Sequence, residues 1–160
     1  MAEALNLADD QRPARRDAAR ALLETLERET PFPGAARIGI TGAPGAGKST
    51  LLDALVRCLR PRGDTLAIVA VDPSSQRTGG ALLGDRARVR AGGSDPGVFI
   101  RSMAARERLG GLAEAARAGV TILSAAFDRV FVETVGVGQS EVEVSTLVDT
   151  LVSSCGARQR

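Results

Sequence analysis

Two periods of apolar and polar residues share this chain. Over residues 9–30, "DDQRPARRDAARALLETLERET", Ala18, Ala19, Leu22, Leu23 and Leu26 recur at helical spacing, and "PFPG" stops the pattern. "ARIGITG" is a short apolar run that ends in glycine and predicts a strand. "KSTLLDALVRCLRPRG" returns to the helical period and closes on Pro61 and Gly63. "TLAIVAVDPSS" predicts a second buried strand ending in a turn, and "GALLGDRARVRAGG" a short helix. "GVFIRSM" is a third strand, "LGGLAEAARAGVTILSAA" a helix expected to break near Gly119, and "DRVFVETVG" a further strand. "SEVEVSTLVDTL" is compatible with helix, strand or both. Apolar strands alternating with helices predict an α/β fold with a mostly parallel sheet flanked by helices.

Composition narrows the partners. Hydrophobic residues are 44% and aromatic residues 2% of the 160, so the core is expected to be aliphatic. A net charge of +2 predicts neither nucleic-acid binding nor a polybasic membrane patch. No apolar run reaches membrane-spanning length, and the acidic start "MAEALNLADD" lacks the basic opening of a signal peptide. Cys58 and Cys155 lie far apart with no CxxC and no histidine in the chain, which reads as a reduced, cytoplasmic protein.

One lysine, Lys48, stands among 20 arginines, inside "IGITGAPGAGKST". Gly42, four further residues, then Gly47-Lys48-Ser49 match G-x-x-x-x-G-K-[ST], with an apolar strand before and a helix after. Residues Gly42, Ala43, Pro44, Gly45, Ala46, Gly47, Lys48, Ser49 and Thr50 are thus the expected nucleotide-binding loop. Glycines let the backbone turn its N–H groups inward, and the helix N-terminus adds a favourable dipole for an anion. A compact ammonium on a flexible stem can fold over β- and γ-phosphate oxygens where a planar guanidinium cannot. Ser49 offers a hydroxyl to Mg²⁺. The bland alternative is a Gly-rich turn with no ligand.

Three carboxylates follow at strand ends or in loops. Asp72 ends "LAIVAVDPSS", at the edge where an open parallel sheet binds ligands, and is a candidate for Mg²⁺; equally, it can cap the "DPSS" turn. Glu133 ends "RVFVETVG" in the pattern of a carboxylate that reaches Mg²⁺ in P-loop proteins, and Gly136 can give its N–H to a γ-phosphate. A plain strand followed by a glycine turn is the alternative. Asp85 in "LGDRARVR" reads by itself as a solvated ion pair, and Gln139 as an exposed residue at a helix start.

Together "GITGAPGAGKSTLLDAL", "VAVDPSSQRTGGALLGDRAR", "FIRSMAARERLGGLA" and "VFVETVGVGQSEVEV" resemble the MeaB/ArgK-type (MMAA-like) P-loop GTPases, over roughly residues 10–150. The resemblance implies a P-loop NTPase domain over 34–152 after a helical extension over 1–33. It implies GTP and Mg²⁺ as ligands, Lys48, Asp85 and Glu133 as catalytic residues, and Ser49, Asp72, Asp85 and Glu133 around the metal. Residues 72–86 and 133–141 are the implied switches, with Arg77 and Arg86 in the first. The implied role is slow GTP hydrolysis in a chaperone of a cobalamin-dependent mutase such as methylmalonyl-CoA mutase.

The chain departs from the family's pattern after "LVDTLV". It carries no Asn-Lys-x-Asp, and residues 153–160, "SSCGARQR", read as a non-family tail. The expectation is a C-terminally incomplete member that lacks the family's dimerisation region, with apolar surface uncovered near Leu147, Leu151 and Val152. Two other readings stand beside the GTPase: an ATP-dependent P-loop kinase or ATPase, and an inactive remnant.

Overall fold

The computed structural model describes residues 1–10, 12–29, 34–72, 95–104, 111–134, 142 and 144–155. The helix expected over 48–63 begins at the lysine, as predicted, and ends at Leu59. Strand β1 (Ala36–Gly42) runs into helix α3 (Lys48–Leu59), and a 3₁₀ turn (Arg60–Arg62) leads through Gly63 to strand β2 (Leu66–Asp72). Strand β3 (Val98–Ala104), helix α4 (Gly111–Ser124), strand β4 (Arg129–Thr134) and strand β5 (Thr150–Ser154) complete the order. The N-terminal region holds two helices where one was predicted: α1 (Ala2–Asp9) and α2 (Pro13–Glu29). Asp10 accepts a hydrogen bond from the Arg12 backbone N–H (3.1 Å), and Pro13 then occupies the first turn, where its missing N–H costs nothing. α4 passes unbroken through Gly119, because that glycine is buried and packing outweighs its roughly 1 kcal/mol helical penalty. The segment 80–93, predicted as a short helix, lies outside the described residues.

Among the described residues the four strand pairings are all parallel, in the order β3-β2-β4-β1-β5. Period-two alternation sorts the side chains onto two faces. Ile40, Leu66, Ile68 and Phe131 face α3, whose Leu52 and Val56 are fully buried against them. Ala67, Val69, Val71, Val130 and Val132 face the opposite layer, with Val120 and Leu123 of α4 and Leu5 of α1. α1 and α2 pack on α4, and Leu22, Leu23 and Leu26 of the predicted stripe reach this core, while Ala18 stays exposed. The buried core is aliphatic apart from Phe131, close to what composition predicted. Each buried Leu, Ile or Val contributes about 1.5–3 kcal/mol relative to exposure.

The strands' N-terminal edge is fastened by carboxylates. Asp149 takes the Arg37 guanidinium in a two-pronged grip (2.6 and 3.2 Å) and the Arg37 backbone N–H (2.9 Å), fixing β5 to β1. Asp95 holds Arg60 through two bonds of 2.9 Å, and Asp128 accepts from the Thr65 N–H and hydroxyl, both at 2.7 Å. Each carboxyl lies below the usual range: Asp149 and Asp95 chiefly through their arginine hydrogen bonds, Asp128 chiefly through the Thr65 backbone N–H. A depressed native pKa stabilises the fold above the unfolded value, about 3.9 for Asp, and that contribution vanishes as pH falls through the native value. Denaturant midpoints are therefore expected to hold steady from pH 7 to about 5 and to fall below about pH 4. Asp149→Asn is expected to flatten that fall, and equal acid sensitivity in the variant would exclude this grip as a source.

Among the described residues no helix is long and apolar enough to cross a membrane. Leu147 is buried, whereas Leu151 (41%) and Val152 (37%) are exposed on β5, at the sheet edge. The expectation of uncovered apolar surface holds for those two and fails for Leu147, which folds back beside Val144 through its N–H to the Val144 carbonyl (2.9 Å).

Candidate functional site

Because every strand runs the same way, Gly42, Asp72, Ala104, Thr134 and Ser154 all end at one edge of the sheet. The connection leaving β1 crosses β4 towards β2, while the one leaving β4 crosses β1 towards β5. The chain thus reverses between β1 and β4, at the kind of switch point where open α/β sheets hold ligands.

The loop between β1 and α3 occupies that point. Gly42 takes φ 138° and Gly47, at the N-cap of α3, takes φ 82°, both unfavourable for a residue with a Cβ. Gly42 has a further reason to lack one: a Cβ there would lie 2.3 Å from the Ser154 carbonyl oxygen of β5. Ala43, Pro44, Gly45 and Gly47 are exposed, Ala46 is half-buried, and Thr50 is exposed in the first turn of α3.

Lys48 is 8% exposed, and its ammonium donates to the Gly42 carbonyl (2.7 Å) and the Ala43 carbonyl (3.1 Å). A buried cation needs such partners, since unpaired burial of a charge is very costly. Here the partners are carbonyls of the loop that the lysine itself follows. The ammonium is therefore folded over the loop, with a flexible stem that allows it to exchange carbonyls for stronger anionic acceptors.

Ser49 and Glu133 meet across 84 residues of sequence: the Ser49 hydroxyl donates to Glu133 Oε1 at 3.3 Å. Strand parity explains it. Glu133 shares the face of Phe131, which is the face covered by α3, and Ser49 sits in the first turn of α3. Thr134, the next residue, points to the opposite face, where its buried hydroxyl donates to the Thr41 hydroxyl (3.2 Å). The ends of β1 and β4 are thereby tied directly beneath the loop. Ser154 adds a third tie, donating its hydroxyl to the Ala46 carbonyl.

The structure thus gathers Gly42–Thr50 and Glu133 around one site. Asp72 closes β2, in register with Ala104 of β3 and on the strand adjoining β4. The Asp72 side chain, Asp85, Gly136, Gln139, Arg77 and Arg86 lie outside the described residues. Sequence reasoning missed Thr41, Thr134 and Ser154. The first two carry a faint signal, as polar residues at the inward parity of two buried strands. Ser154 carries none, since the pairing of β5 with β1 cannot be read from one sequence.

The family model described as "Methylmalonyl Co-A mutase-associated GTPase MeaB" matches residues 1–158, running through most of the stretch set apart above as a non-family tail. A putative GTPase of Pyrococcus horikoshii is 56% identical over 129 residues, covering 79% of this chain and 41% of its own length. The GTPase ArgK of Escherichia coli is 41% identical over 155 residues, covering 96% of this chain and 46% of its own. A crystal structure of an LAO/AO transport system kinase superposes with a TM-score of 0.71 at 36% identity, over 96% of this chain and 44% of that one. The chain spans less than half the length of these relatives. With a lysine-bearing loop at the switch point and a family match along nearly its whole length, this chain belongs to the MeaB/ArgK family of P-loop GTPases.

Proposed function

We propose that this chain binds GTP with Mg²⁺ and hydrolyses it slowly, as the nucleotide-binding part of a chaperone for a cobalamin-dependent acyl-CoA mutase of the methylmalonyl-CoA mutase type. The observation that carries the reading is the Lys48 ammonium, buried and folded over the glycine loop, beside a Ser49 hydroxyl hydrogen-bonded to Glu133. The mutase as client rests on the family's description alone. In this reading residues 1–33 are a helical extension and 34–152 the P-loop part.

Loop N–H groups and the start of α3 hold the phosphates, and Lys48 leaves the Gly42 and Ala43 carbonyls to meet β- and γ-phosphate oxygens. The donor set fits Mg²⁺, which prefers hard oxygens, keeps several waters and needs only one or two protein groups beside the phosphates. A hydroxyl and a carboxylate oxygen 3.3 Å apart supply such groups. Ser49 is the direct holder, with Glu133 and Asp72 in support. Bound there, the ion neutralises charge on the phosphates. Asp85 and Gly136 are assigned to the switches. Catalysis of phosphoryl transfer is mainly positioning and charge stabilisation, and an arginine finger typically adds about 10³–10⁵ in rate. In this reading turnover is slow without the mutase, and substituting Arg77 and Arg86 of the implied first switch tests whether either is such a finger.

Titration with GTP and ATP, each with Mg²⁺ or with EDTA, tests this. Ser49→Ala and Glu133→Gln are expected to weaken Mg²⁺-dependent GTP binding by about tenfold each, the scale of a hydrogen bond to a charged group. Affinity unmoved by EDTA would refute the metal assignment, and a hundredfold preference for ATP would favour a kinase or ATPase instead.

A further inference from the structure

We infer that Ser154, at the end of the edge strand β5, is a positioning residue for the phosphate loop, a role that rests on the nucleotide-binding reading above. Its hydroxyl donates to the Ala46 carbonyl, 108 residues earlier in the chain. A peptide unit is planar, with its C=O and N–H on opposite sides, so a tether on the Ala46 carbonyl also fixes the direction of the Gly47 N–H. In the reading above, that N–H is one of the loop donors offered to phosphate. The tether matters at this peptide in particular. Gly47 lacks a Cβ and takes φ 82°, so the Ala46–Gly47 unit has little steric resistance to flipping. A loop that samples both orientations presents its donor only part of the time, and apparent affinity falls by the competent fraction.

The placement of Ser154 is over-determined. Parallel register pairs it with Gly42, whose missing Cβ admits the Ser154 carbonyl at close range. At the other end of the pairing, the grip of Asp149 on Arg37 prevents β5 from sliding along β1. The strand therefore arrives at the loop in one register, with its last side chain against Ala46. Neither the Thr41–Thr134 tie nor the Lys48 contacts touch that carbonyl.

The test uses the full 160-residue chain, GTP with Mg²⁺ as the probe, and four proteins: wild type, Ser154→Ala, Ser154→Thr and Lys48→Ala. Ser154→Ala is expected to bind about fivefold more weakly, equal to the roughly 1 kcal/mol net value of one hydrogen bond. Ser154→Thr keeps the hydroxyl on a residue that suits a strand, and is expected to restore wild-type affinity. Thermal midpoints are measured alongside. An affinity loss in Ser154→Ala that Ser154→Thr rescues, at unchanged midpoint, supports positioning. Should Ser154→Ala bind within twofold of wild type, or weaken only in step with a lowered midpoint, positioning by Ser154 is overturned while the loop assignment stands. Should wild type and Lys48→Ala bind alike or not at all, the nucleotide reading itself fails, and this inference with it.

Discussion

Replacing Lys48 with alanine is expected to lower triphosphate affinity by about a hundredfold or more. Hydrogen bonds to charged groups contribute about 1.5–3 kcal/mol each, and this ammonium is placed to make two. The apo protein should register the change as well. Alanine leaves the Gly42 and Ala43 carbonyls without their present donor. A modest loss of stability, about 1–2 kcal/mol, accompanies the loss of binding. Lys48→Arg is the more telling substitution. It keeps the charge, but a planar fork with five donors has to enter a space closed by two carbonyls of one tight loop. Binding should fail nearly as completely as with alanine, in calorimetric titration with GTP and Mg²⁺. Wild-type affinity in either variant would falsify the assignment of the loop.

A second large effect is expected at Gly42. Alanine there meets two obstacles at once: a φ of 138°, which L-residues rarely adopt, and a carbonyl oxygen of β5 at 2.3 Å from the new methyl. The obstruction is backbone, and β5 cannot slide because Asp149 holds its start. Strain at such a φ costs about 1–3 kcal/mol and overpacking a similar amount. Gly42→Ala should therefore lose about 3 kcal/mol or more in denaturant unfolding, or lose β5 from the sheet. Since a lost β5 also removes Ser154 from Ala46, nucleotide binding should weaken in the same variant. A stable Gly42→Ala with unchanged binding would mean that β5 is not seated on the loop. Gly45→Ala is a useful contrast, because a Cβ at Gly45 meets nothing within 4 Å.

Local patterns made the P-loop and both cores legible. The motif from Gly42 to Ser49 names its own chemistry, and alternation in "LAIVAV" and "RVFVET" assigns each residue a face. The position of Glu133 on the α3 side follows from that alternation once α3 is known to cover Phe131. What the chain did not announce depends on pairing between distant segments. The neighbour of β1 on each side, the tie between Thr41 and Thr134, and the arrival of Ser154 at Ala46 all arise from register. A run of apolar residues fixes parity but not register, because several alignments bury the same side chains. The N-terminal helices illustrate a smaller loss. Residues 9–30 have helical period throughout, and among the described residues the local bond from Arg12 to Asp10 and the ring of Pro13 mark the division from α1.

The contacts that join the site span 84 residues between Ser49 and Glu133 and 108 between Ala46 and Ser154. No folding intermediate that lacks β4 or β5 can contain all of it. A ligand held there selects the completed sheet by mass action, and at a hundred times its dissociation constant shifts the folding equilibrium by about 2.7 kcal/mol. Long-range parallel pairing is also intrinsically slow to form. On the proposed nucleotide binding, the concentration of nucleotide during synthesis becomes a determinant of yield. It acts on the population of folded chains, apart from any chemistry at the site.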